Sequence, residues 1–225
     1  LAGACLEWVL SIICLRIDRP MNFDIRTLSI ITALSSLVFA FAMVTLARLI
    51  PRERQLRDWA IGTSMAAAST FLLGLRNVWP DFMTIVGANT LLALGFCFMY
   101  RGTRGLVGRA LPSRAWWSIA ALTCVGMAWF SAVQPHVPMR VLISSLSVVP
   151  LLFVMGIDLW RYDRETGPST LRIANYMSIV TLGLGVALFV ARIFPAFADQ
   201  GINDYVQSRS GLLAAPYLWA TLFNV

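Results

Sequence analysis

The 225-residue chain is poor in charge and contains no lysine, so arginine accounts for all eighteen of its basic residues. Only 13% of the residues are charged, whereas a typical soluble domain carries about 25%. Hydrophobic residues make up 58% of the chain, which excludes a disordered protein. A composition this apolar is unusual for a soluble domain and is typical of a membrane protein.

Histidine and cysteine are also scarce, and their scarcity removes most kinds of metal site. The only histidine, His136, lies between two prolines, and no acid or thiol near it in the sequence completes a metal site. We interpret it as an exposed loop residue; the alternative is a pH sensor, because imidazole changes charge near neutral pH. The four cysteines form no CxxC pair. The sequence therefore assigns no catalytic residue, no cofactor and no metal.

Long uncharged stretches recur through the chain. Each has about the 17 to 25 residues that a helix needs to cross roughly 30 Å of hydrocarbon. We therefore predict an all-α, polytopic transmembrane bundle of about seven helices. The seven stretches are 27–47, 59–75, 82–100, 115–139, 141–157, 173–191 and 210–225.

Arginines cluster on every second connection between these stretches. The connections 48–58, 101–114 and 161–172 hold eleven arginines. The opposite side holds five, one at each helix end: Arg26, Arg76, Arg140, Arg192 and Arg209. Because basic loops are retained in the cytoplasm, the three connections are predicted to be cytoplasmic and the N-terminus outside. The same rule explains the net charge of +7 without a nucleic-acid partner. Aromatic residues such as Tyr100 are expected at the headgroup level beside these connections.

The two ends of the chain differ from the rest. Residues 1–20 contain a short apolar run that is followed by its basic residues, the reverse of a signal peptide. We interpret 1–20 as an upstream or non-native extension that does not pack into the bundle, and 21–225 as the transmembrane domain. The alternative for 1–20 is an amphipathic or re-entrant segment. No basic residue follows the last stretch, which predicts a truncated seventh helix and a missing cytoplasmic output domain.

Residues 21–41, MNFDIRTLSIITALSSLVFAF, resemble the opening of the multi-helix membrane sensors that precede GGDEF domains in bacterial diguanylate cyclases. The resemblance continues through 56–62, 75–102 and 105–109, and covers the remainder by topology. It implies a non-catalytic sensor module in the bacterial inner membrane. The seventh helix would continue into a cytoplasmic cyclase that makes cyclic di-GMP from two GTP, and the paired cyclases imply a homodimer. No GGDEF sequence occurs in the chain itself.

The arginines of the outer side form the best candidate binding site. Arg76, Arg140 and Arg192 fall at the outer ends of different helices, where converging guanidinium groups bind an anionic ligand. The alternative is that these side chains extend to lipid headgroups or pair with nearby acids. Asn89 lies near the middle of the third stretch, and it is predicted either to hydrogen-bond across helices or to contact the ligand.

Small residues and prolines predict how the helices pack. Gly62 with Ala66, and Gly183 with Ala187, have the spacing that lets two membrane helices approach closely. Pro150 removes one backbone hydrogen bond and is expected to kink its helix.

Two other functional classes compete with a sensor. A small transporter is the main alternative, although the two halves of the chain show no clear internal repeat. An intramembrane enzyme needs a catalytic pair inside the spans. The spans contain no acid, and Asp158 falls only at a cytoplasmic edge. We therefore rank the enzyme last.

Overall fold

The computed structural model describes residues 25–75, 78–80, 82–110, 116–166, 172–191 and 193. These residues are all-helical and contain no β-strand. They form six α-helices: α1 (Ile25–Leu49), α2 (Arg54–Gly74), α3 (Ala88–Leu106), α4 (Trp117–Ala128), α5 (Val137–Thr166) and α6 (Arg172–Ala191). Two π-helical segments complete them: π1 (Phe82–Gly87), which leads into α3, and π2 (Trp129–Val133), which follows α4.

Within the described residues, three helical stretches are long and apolar enough to cross a membrane: Ile31–Leu49, Phe82–Leu106 and Val137–Thr166. Two further apolar helices, Trp117–Val133 and Asn175–Ala191, are shorter. The composition therefore indicates a membrane protein. The predicted seventh span, 210–225, and the segment 1–20 lie outside the described residues.

The short connection predicted at 134–138, between the fourth and fifth stretches, is present: π2 ends at Val133 and α5 begins at Val137, with Pro135 in the turn. One helix boundary differs from that predicted from the absence of charge, because helix α5 extends to Thr166, well past the predicted end at residue 157. A helix can carry charged residues at its end when they are paired, and several of the charged residues between 158 and 166 are paired. Helix α5 runs through Pro150 without interruption.

Helices α2 and α3 cross at two glycines, in agreement with the predicted close approach of the second stretch. A methyl group added to Gly95 would lie 2.8 Å from the carbonyl oxygen of Gly62 and 3.3 Å from the backbone nitrogen of Ala66. The two backbones are therefore in direct contact, which only small residues permit. Gly183 on α6 differs, because no described residue lies within 4 Å of the same added group. The described helices therefore make no close contact at that position.

The main core lies between α3, α5 and α6. Its buried side chains are Phe96, Cys97, Met99, Tyr100, Val148, Leu151, Leu152, Met155, Leu159, Leu182 and Phe189. A smaller cluster of Ile85, Val86 and Met127 joins π1 to α4, with Ile143 of α5 packed against it. Helix α1, in contrast, exposes a wide apolar face that includes Val38 and Phe41. Such a face suits contact with lipid rather than water.

Candidate functional site

The described parts of the three arginine-rich connections lie at one end of the bundle. Arg101, near the end of α3, pairs with Asp58 in the first turns of α2, with 3.0 Å between Nε and Oδ2. Arg109, just after α3, pairs with Asp158 near the end of α5, with 2.7 Å between Nη1 and Oδ1. These contacts bring together the segments 48–58, 101–110 and 158–166, which we call the Arg-rich end.

Asp158 is the centre of the ionic contacts at this end. Its side chain is only 6% exposed and has two arginine neighbours. Arg109 donates from Nη1 to Asp158 and from Nη2 to Glu165, the latter at 3.0 Å. Arg104 places its Nε 3.9 Å from the second carboxylate oxygen, so it contributes charge without a hydrogen bond. We call Arg104, Arg109, Asp158 and Glu165 the Asp158 cluster.

Two aromatic residues extend the cluster into the core. Arg104 donates from Nη1 to the hydroxyl of Tyr100 at 2.9 Å. The ring of Tyr100 lies 4.8 Å from that of Trp116 at the start of α4. Tyr100 is only 1% exposed, so its ring packs inside the helix array, and its expected depth at the headgroup level stays a prediction. Its hydroxyl is satisfied by an arginine instead of by water, which is what permits its burial.

The Asp58 pair is weaker than the Asp158 cluster because one partner is exposed to solvent. The Asp58 side chain is 10% exposed but that of Arg101 is 39% exposed. The Nε–H of Arg101 makes no hydrogen bond, so charge alone holds this contact. Burial raises the pKa of the Asp58 carboxyl above its ordinary value, although Arg101 and Arg57 oppose the shift. The pair therefore does not fully compensate the carboxylate for its loss of hydration.

The chemistry of the Arg-rich end is that of a helix-to-helix connection. Asp158 and Glu165 already accept from Arg109, and Arg104 already donates to a tyrosine. The described residues contain no group of three or more potential metal ligands. Buried ion pairs of this kind fix one arrangement of the helices, because breaking them leaves a charge uncompensated.

The opposite end is formed by π1, π2 and the turn into α5, and we call it the His136 end. Arg140 lies there in the first turn of α5, and its backbone N–H donates to the carbonyl of His136 at 3.2 Å. The other two predicted ligand residues, Arg76 and Arg192, lie outside the described residues. The predicted convergence of the three arginines therefore remains a prediction.

Asn89 lies at the start of α3, immediately after π1. Its amide nitrogen donates to the carbonyl of Ile85 at 2.7 Å, within the same helical segment. This bond differs from the interhelical bond that was one of the two predicted roles. The reason is local, because a side-chain amide can donate to a backbone carbonyl one turn earlier in its own helical segment and needs no second helix as a partner.

The sequence reasoning missed the buried acids Asp58, Asp158 and Asp163. It used the arginine clusters to assign the orientation of the chain and gave the neighbouring acids no structural role. A signal was nevertheless present, because Asp58 follows the first arginine cluster and Asp158 precedes the third. An acid one turn inside a helix end can reach an arginine of a neighbouring connection.

The chain matches no protein-family model, no curated protein and no solved structure. These comparisons therefore identify neither a sensor domain nor an association with a GGDEF domain.

Proposed function

We propose that this chain is the membrane-embedded input module of a bacterial diguanylate cyclase-type protein. In this proposal, seven helices cross the inner membrane with the N-terminus outside. The seventh helix relays a signal to a cytoplasmic GGDEF domain that lies beyond this chain. The sequence resemblance supports the proposal, and so does the bias of the arginines toward one set of connections.

The Asp158 cluster is the observation that carries the proposal. It ties the end of α5 to the end of α3 through residues that are 49 positions apart in the sequence. Helix α5 contains 30 residues and therefore extends for about 45 Å. A change of packing at one end of α5 can thus reach the Arg-rich end as a movement of a single element. A signal that favours one packing over another shifts the populations of the two states.

The proposed partners follow from this role. The bilayer surrounds the exposed apolar faces, and a homodimer through the full-length protein would bring two cyclase domains together. A small anionic ligand at Arg76, Arg140 and Arg192, with Asn89 as a further contact, remains the proposed outer binding site.

The sequence encoded after Val225 and the activity of the full-length protein test the proposal. We expect a basic linker followed by a GGDEF motif, and synthesis of cyclic di-GMP from GTP by the full-length protein in inverted membrane vesicles. A full-length product that ends shortly after Val225 would contradict the proposal.

The proposed orientation has an independent test in reporter fusions. A phosphatase that is active only outside the cytoplasm should be inactive when fused after Arg109 and active when fused after Asp199. Activity at the first position, or none at the second, would reverse the topology.

A small transporter is the second candidate, and the buried hydroxyl groups favour it. Ser69 and Ser145 are fully buried, and no group among the described residues accepts from or donates to either hydroxyl. Such hydroxyls suit a polar path through apolar helices. Most other buried hydroxyls donate to their own helix, as Thr63 and Thr123 do, which argues against a continuous path. An early stop codon after Val225 would favour this class.

A further inference from the structure

The turn between π2 and α5 is organised around His136. The backbone N–H of His136 donates to the carbonyl of Phe130 at 3.2 Å, and its carbonyl accepts from the N–H of Arg140, also at 3.2 Å. Its ring nitrogen Nδ1 accepts from the backbone N–H of Met139 at 3.3 Å. His136 therefore uses its donor, its carbonyl and its side chain to join the two helical segments.

The ring of His136 is the N-terminal cap of α5. A helix leaves its first N–H groups without partners inside the helix, and a side-chain acceptor on the preceding residue commonly satisfies the third one. Met139 is that third residue, because α5 begins at Val137. Pro138, the second residue, has no N–H to satisfy. The Nδ1 atom thus accepts from the N–H of the third residue of α5, and the second residue has no N–H that needs a partner.

We propose that His136 is a proton-sensing switch for the His136 end. A proton on Nδ1 turns the acceptor into a donor, so the bond from the N–H of Met139 is lost. The imidazolium also places a positive charge at a helix N-terminus, where the helix dipole disfavours it. Histidine is the side chain whose charge ordinarily changes between about pH 5 and pH 8. Acidification on this side of the membrane would therefore uncap α5.

The neighbouring elements supply little charge that would mask the switch. Among the side chains that the structure describes, π1 and π2 carry no titratable group, and α4 contributes only Cys124 here. Arg140, one turn into α5, is the basic residue of this element nearest to His136. Helices α3 and α6 also pack against α5, and their titratable side chains lie toward the Arg-rich end: Cys97, Tyr100, Arg101, Arg104 and Tyr176.

This inference deepens the proposed sensory function and rests on it for one step, the transmission of the signal. Helix α5 begins at the His136 cap, and Asp158 and Glu165 lie in its last turns. Uncapping frees the first turn of α5 to move relative to π2. The proposed signal is thus the proton concentration on the side of the membrane opposite the Arg-rich end.

Hydrogen exchange of the full chain in lipid nanodiscs tests the switch directly. The measured quantity is the protection of the Met139 amide between about pH 5 and pH 8, corrected for the intrinsic pH dependence of exchange. In the wild type, we expect protection to fall about fivefold on acidification, the effect of losing one cap. His136→Asn supplies an acceptor that does not titrate and should keep its protection at every pH. His136→Ala lacks the acceptor and should be weakly protected throughout.

Each outcome of this experiment decides a separate question. Constant protection in the wild type, or an equal loss in His136→Asn, would overturn the switch and leave the proposed function untouched. A pH-dependent Met139 amide with unchanged protection at residues 158–165 would keep the switch but remove the relay through α5. Changes at both ends of α5 that disappear in His136→Asn would support both.

Discussion

The two ends of the bundle are held together by different kinds of bond. At the Arg-rich end, charged side chains connect helices that are distant in the sequence, as Arg109 does with Asp158. At the His136 end, backbone groups and short side chains bond within about a turn, as Asn89 does with Ile85. Long-range ion pairs fix how helices sit against one another, whereas local bonds fix only the shape of one connection.

This difference indicates which end of the bundle can rearrange at a low cost in free energy. Rearranging the Arg-rich end requires breaking buried charge pairs, which is strongly unfavourable. At the His136 end, the hydrogen bonds between described residues each have a net contribution of about 1 kcal/mol. Under the proposed sensory function, a signal would therefore enter at the His136 end and be read out at the Arg-rich end.

The largest effect is expected from Asp158→Asn, which removes the carboxylate shared by Arg104 and Arg109. Both arginine side chains are mostly buried, at 24% and 21% exposure, so their charges cannot be fully hydrated. We expect the free energy of unfolding in detergent micelles to fall by about 2–3 kcal/mol. The matched control is Asp58→Asn, which should stay within about 1 kcal/mol of the wild type because Arg101 is more exposed and the pair does not fully compensate the buried carboxylate. Equal losses in the two variants would show that the cluster has no special role.

The second effect concerns the crossing of α2 and α3 at Gly62 and Gly95. Gly62 lies one helical turn after Asp58 in α2. Gly95→Ala forces a methyl group against the backbone of Gly62 and should lower the free energy of unfolding by about 2 kcal/mol. Gly156→Ala adds the same group where nothing lies within 4 Å. That control should match the wild type or exceed it by up to about 1 kcal/mol. A stable Gly95→Ala variant would mean that α2 and α3 separate easily.

The third effect tests the local bonds at the His136 end. Asn89→Ala removes the donor to the carbonyl of Ile85 and should cost about 0.5–1 kcal/mol. The adjacent Thr90 is the control, because no described group accepts from or donates to its buried hydroxyl. Thr90→Val should leave the unfolding free energy unchanged within about 0.5 kcal/mol. A cost above about 2 kcal/mol for Asn89→Ala would argue for an interhelical role instead.

The smallest effect is the pH dependence of the Asp58 pair. Because burial raises the pKa of this carboxyl, the folded protein holds its proton to a higher pH than the unfolded chain does. Asp58 therefore lowers stability above its folded pKa, and this loss is relieved as the pH falls through that value. Under mild acidification, we expect the unfolding free energy of the wild type to rise relative to that of the Asp58→Asn variant, by less than about 1 kcal/mol. Unfolding measurements on both proteins across that pH range give the difference. A wild type that becomes less stable relative to Asp58→Asn on acidification would contradict the predicted direction.

The helical elements could be predicted because charge is costly in hydrocarbon. A helix was predicted in each of the six uncharged stretches between residues 27 and 191, and a helix lies in each. The extension of α5 past residue 157 was not predicted. Absence of charge marks where a helix can cross a membrane and not where it begins or ends. As far as the structure describes them, three of these six predicted spans are long and apolar enough by themselves.

The candidate site was less predictable for the same physical reason. The search for binding residues examined arginines on the side with few charges, and it left aside the acids beside the arginine clusters. Whether Asp158 is solvated or buried depends on Arg109, which is 49 positions away in the sequence. His136 was recognised as a titratable group, but its role as a helix cap depends on where α5 begins.

The sequence by itself determined that the chain is helical and apolar and that its arginines favour one set of connections. Those properties follow from composition and from the spacing of charges, which are local. The tertiary structure alone decided that Gly62 meets Gly95, that Asp158 is shared by two arginines and that His136 caps α5. Each depends on the register of one helix against another or on the residue at which a helix starts. That register is set by the packing of whole helices, which no single segment of the sequence encodes.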